Sequence, residues 1–257
     1  MTPTGIPYLP TTYTSSSFDN VVVHHVPAED ATHVQMIAKL AQQAMGFVQQ
    51  ETSFIPSRQI HICLYHTNAE AQHQLQRNIP PTMAMVPFSG REAGLIVLQS
   101  PDAHPLNGER ERMLRLLAHE CTHLVIAETT GSLKVLGDGN RSMRISTWIN
   151  EGFAELLGHR AIGAIDRLEA AQKRFRNAKC YHSFKALSDL LDGLDHPARS
   201  DAFDHATAAV NLLVNRFNLE YAFPGILSLD RACRSSALCT PQFIQSLELT
   251  SQFQTAN

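Results

Sequence analysis

The chain has 257 residues, a formal net charge of −3 and 44% hydrophobic residues, enough for one large domain or two small ones. No block of like charge forms and no apolar run reaches bilayer length, so neither nucleic acid nor a membrane is expected as a partner. The five cysteines are odd in number and include no CxxC pair, which argues against a disulfide framework and points to a reducing, cytoplasmic setting.

Residues 1–18 have neither a basic start nor an apolar core and read as a disordered polar tail, not a signal peptide. Residues 19–25 (DNVVVHH) are valine-rich and predict a strand. Over 28–50, Val34, Ile37, Leu40, Ala41, Ala44 and Phe47 recur at helical spacing, with Asp30 near the start. Residues 58–66 alternate Ile60, Ile62 and Leu64 with polar neighbours, a second strand on which His61 and His66 are expected to be exposed and not ligands. A short helix is expected over 68–76, a turn at Pro80-Pro81 and a third strand over 94–100.

Residues 113–127 are apolar on nearly every side, which predicts a buried helix. Gly131 suits its C-cap, residues 131–147 read as a loop, and Ser146 or Thr147 can cap the next helix. A long helix is expected over 152–179, and further helices over 183–192, 205–216, 222–229 and 241–247. Strands come first and helices after. That order predicts an α+β fold: a tail (1–18), a subdomain with a mixed sheet (19–130) and an all-helical subdomain (131–257).

Within the buried helix, His119-Glu120-Cys121-Thr122-His123 reads HExxH. Residues four apart share a helix face, so His119 and His123 can aim ring nitrogens at one metal ion. Glu120 then projects toward a metal-bound water. Burying two histidines and a glutamate without partners is costly, and a shared ion removes that cost. Cys121 faces away and reads as a small buried residue. Ile126 and Thr129 stand where a metzincin needs Gly and His, which excludes that class. For a third ligand, Asp138 lies in GDGN, ordinary turn chemistry, and Glu151 is the better candidate.

Residues 148–155 read WINEGFAE, and here the chain resembles the gluzincin clan of zinc metallopeptidases. That clan includes thermolysin and aminopeptidases whose second helix carries a WLNEGFA-type sequence. The layout is similar to the small peptidase MA-like gluzincins over roughly residues 18–245. The resemblance implies a zincin-like fold, with the active-site helix of the mixed-sheet half packed on the helical half. It also implies one Zn2+ held by His119, His123 and Glu151, with Glu120 as general base. Glu155, one turn past Glu151, would hydrogen-bond a ligand histidine from behind.

The implied reaction is hydrolysis of a peptide or protein substrate by zinc-bound water that Glu120 activates. By the same resemblance, strand 94–100 would be the sheet edge that holds the substrate extended. Relatives place a Tyr or His donor for the oxyanion near a helix start in the helical half. Phe203 occupies a position where tyrosine is often found and cannot donate; His205 resembles a histidine that opens this helix, with Tyr181 and His182 as alternatives.

Two departures stand out. The gap from His123 to Glu151 is 28 positions (151 − 123), longer than in thermolysin-like sites, and Lys134, Arg141 and Arg144 in the extra segment could overhang the cleft. No GAMEN-type sequence precedes HExxH, which favours an endopeptidase over an aminopeptidase. The alternatives are a zinc hydrolase of non-peptide amides or esters and a zinc-binding interaction domain; Glu120 argues against the latter, since a structural site needs no base.

Overall fold

Three short runs of branched apolar residues lie side by side as the parallel centre of one sheet. The computed structural model describes residues 12–67, 69–70, 84–85, 95–103, 109–130, 145–177, 182–192, 198–217 and 225–235. Its strands are β1 (Thr14–Phe18), β2 (Val21–His25), β3 (Ile60–Tyr65), β4 (Ala84–Met85) and β5 (Leu95–Gln99). Their order is β1-β2-β3-β5-β4, with β2, β3 and β5 parallel and both outer strands antiparallel to their neighbours. Val21 pairs with Ile60 and His61 with Leu95, so hydrophobic runs meet in register. Parallel strands are covered on both faces, which is why β2 is buried throughout and β3 and β5 lose only His61 and Gln99 to partial exposure.

The sheet corrects two expectations. Part of the anticipated tail is β1, whose sequence TSSSF carries no hydrophobic alternation. It is held by backbone pairing to β2 and a turn in which Asp19 takes φ 48°, a left-handed conformation that short polar side chains tolerate. Nor is the third strand at the edge: β5 lies between β3 and β4, and β4 takes the outer position against Val97 and Leu98.

The chain divides into two units, residues 1–144 and 145–257. In the first, helix α1 (Ala31–Thr52) provides the crossover that joins parallel β2 and β3. Asp30 caps it by accepting from the Thr32 amide at 2.7 Å. Helix α2 (Arg110–Thr129) packs against α1 and β4. Among its described residues the second unit forms α3 (Thr147–Ala161), α4 (Ile165–Asn177), α5 (Phe184–Asp192), α6 (Arg199–Phe217) and α7 (Ile226–Ser235).

The helix expected over 152–179 is two helices. Gly163, at φ +67°, breaks it between α3 and α4 in a conformation that β-carbon-bearing residues avoid. The combination of a mixed sheet with helices is the α+β content expected. The expected loop 131–147 falls largely outside the described residues, as do most of the 68–76 helix, the whole 241–247 helix and Asp138. No helix among the described residues is long and apolar enough to cross a membrane.

Candidate metal centre

From Leu117 to Ala127 every residue of α2 is buried, so His119, Glu120 and His123 sit in a dry environment. The Nε2 atoms of His119 and His123 are 3.0 Å apart, with the rings edge to face at 85°. Two nitrogens bound about 2.1 Å from one tetrahedral ion would lie about 3.4 Å apart. The pair is thus within a few tenths of an ångström of a shared-ion geometry, and two buried imidazoles with a buried glutamate on the same helix fit zinc chemistry.

Glu120 is 3% exposed, and its charge is felt around it. The Tyr65 hydroxyl is pushed up to about 12, first by burial and then by Glu120. Burial, with Glu120 adding, also raises the Cys121 thiol, which is fully buried and inert as a nucleophile at neutral pH. Thr122 satisfies its hydroxyl within the helix by donating to the Ala118 carbonyl at 2.7 Å.

In the second unit, α3 carries Glu151 and Glu155 on one face, one turn apart. The start of α3 is fixed by other helices instead of its own first residues. Asp230 of α7 accepts from the Ser146 amide at 2.9 Å, Ser188 of α5 accepts from the Trp148 amide at 3.4 Å, and the Thr147 hydroxyl donates to Asp192 at 2.9 Å. Ser146 holds the N-cap position without a side-chain capping bond, so tertiary partners replace the expected local cap. Trp148 stacks on Phe184 with ring centroids 4.5 Å apart.

Gly152 lets α3 lie directly on α6. A β-carbon there would stand 2.6 Å from Val210 Cγ2 and 2.7 Å from the Ala206 carbonyl oxygen. The adjoining Asn150 is fully buried, and neither polar atom of its amide has a hydrogen-bond partner among the described residues.

One helix position differs from expectation in this unit, and one neighbour is added. His205 does not open its helix: α6 begins at Arg199, six residues earlier, and His205 sits in the second turn. It is buried against Phe175 (5.5 Å between rings) and His182 (5.8 Å), and burial followed by His182 lowers its pKa. Glu155 faces His159, 3.4 Å away on the next turn, a neighbour no short motif announced. Tyr181 lies outside the described residues.

His119 and His123 are therefore brought together as the spacing predicts, with Glu120 buried on the same helix, while Glu151, Glu155, His182 and His205 lie within the helical unit. No protein-family model matches the chain, and a search of curated proteins finds no match either.

Proposed function

We propose that the chain is a zinc metallopeptidase of the gluzincin type with a zincin-like fold, acting as an endopeptidase. The observation that carries this reading is the pair of buried imidazoles whose Nε2 atoms face each other at 3.0 Å, with Glu120 buried beside them. Glu151 is the proposed third ligand, by its place in the WINEGFAE sequence. A zinc ion held by these residues supplies Lewis acidity and lowers the pKa of water.

In this scheme Glu120 takes a proton from the attacking water and passes it to the departing amine. The burial of α2 keeps bulk solvent out and strengthens each charge interaction. Glu155 steadies a ligand histidine in concert with His159. His205, or its ring neighbour His182, donates to the oxyanion; a depressed pKa keeps His205 neutral, and a neutral imidazole still carries one N–H. The substrate strand adds to β4, the outer antiparallel strand beside α2.

The test is a peptide-library digest by zinc-loaded protein with a chelator control, run beside Glu120→Gln. Cleavage by the wild type, with zinc retained and cleavage abolished in the variant, supports the reading. A wild type that holds zinc and cleaves nothing overturns the peptidase assignment. Unchanged zinc occupancy in Glu151→Ala overturns the third ligand.

A further inference from the structure

Because β2, β3 and β5 run parallel, their carboxyl ends share one rim of the sheet, the place where such sheets gather polar groups and ligands. The segments leaving these ends bring together Glu29, His66, Ser100 and Asp102, and the first turn of α1 adds His33. The Glu29 side chain is wholly buried; it accepts from the Ser100 hydroxyl at Oε1 and pairs with His66 Nε2 at 3.0 Å through Oε2. Asp102 faces His33 Nδ1 at 2.5 Å, accepts from the Asp30 amide at 3.3 Å, and donates its own amide to Ser100 Oγ at 3.0 Å.

One ligand atom each from Glu29, His33 and Asp102 lies within 4.8 Å of the other two. Among the described residues, no lysine or arginine pairs with either carboxylate. Two carboxylates this close, one of them buried, repel unless a proton or a cation lies between them.

We propose that Glu29, His33 and Asp102 form a second metal site, for one divalent first-row transition-metal ion, that ties the start of α1 to the segment after β5. Two carboxylates and one imidazole suit zinc or manganese, whereas calcium takes oxygen ligands alone. Atoms bound about 2.1 Å from one tetrahedral ion lie about 3.4 Å apart, so the ligands need to close by up to about 1.4 Å, within reach of side-chain rotation. His66 and Ser100 hold the Glu29 carboxylate from behind, as groups outside a metal's ligand set commonly do. The site is structural: it fixes where the crossover helix leaves the sheet. It stands independently of the HExxH reading.

Full-length protein is stripped with a chelator, reloaded with Zn2+ and counted by native mass spectrometry. The wild type should hold two ions, and Asp102→Asn, His33→Gln and His123→Ala one each, the lost site being weakened roughly 100-fold or more. His33 and Asp102 are solvent-accessible, so these variants fold even where Glu29→Gln does not. If Asp102→Asn and His33→Gln both keep the wild-type count, the proposal is overturned and the cluster is a pair of ion pairs. A wild type with one ion, lost in Asp102→Asn and kept in His123→Ala, upholds this site and removes zinc from HExxH.

Discussion

Two imidazole pairs in the first unit have almost the same separation and different chemistry. His119 and His123 bring Nε2 to Nε2 at 3.0 Å with rings at 85°, whereas His24 Nε2 and His61 Nδ1 are 3.1 Å apart with rings 7° from parallel. The second pair joins two strands, and the other nitrogen of His24 is hydrogen-bonded to Ser15 Oγ at 2.8 Å. That arrangement is a finished hydrogen-bonded chain from β1 through β2 to β3. The helical pair instead turns matching nitrogens toward each other, with Glu120 buried on the same helix. Separation alone does not mark a ligand pair; the partners of the remaining atoms do.

The largest effect that can break this contrast is on metal content. Under the proposed function, His123→Ala should abolish zinc binding at HExxH and lower kcat by about 10³-fold or more, while His61→Ala leaves both zinc and turnover unchanged, as read by metal analysis and peptide kinetics. Zinc lost from His61→Ala would place the strand pair in the metal site.

Acid gives the next largest effect. Burial, with His61 and His25 adding, lowers His24 from 6.5 to about 4. The unfolded chain therefore binds this proton before the folded one does. The contribution is complete above pH 6.5 and falls as pH drops toward 4, by about 3 kcal/mol in all. Urea midpoints measured across that window should slope downward with acid, and His24→Gln should flatten the slope. A slope that is the same in the variant would assign the acid sensitivity elsewhere.

Smallest is Ser15→Ala, which removes the outer end of the hydrogen-bonded chain. It should lower stability by about 1 kcal/mol in denaturant titration and leave zinc affinity untouched.

The same contrast explains what the sequence could reveal. His119, Glu120 and His123 lie on one helix, so a fixed spacing of four dictates their meeting, and the motif was legible. The parallel strands were legible too, because burial on both faces demands unbroken apolar runs such as Ile60–Tyr65. β1 was not. Its seryl side chains hydrogen-bond to His24 and His25, and its place is set by backbone pairing that no hydrophobic period encodes.

His66 and Glu29 meet across 37 positions, and Ser100 joins them only because three strands end at one rim. The resemblance puts strand 94–100 at the edge, whereas a two-residue strand, Ala84–Met85, too short to carry a period, takes that position. The resemblance puts His205 at a helix start, whereas α6 already begins at Arg199, where Asp201 stands in the first turn and Ala202 is buried.

The absence of a side chain at position 152 reaches beyond packing. With the α3 backbone resting on the Ala206 carbonyl, a methyl there would clash with main chain that cannot swing aside. If Glu151 holds the proposed ion, Gly152→Ala should push the helix outward and carry Glu151 along, so that the ion loosens before the protein melts. The empty space at one glycine thereby acts as the gauge that sets where an adjacent carboxylate stands.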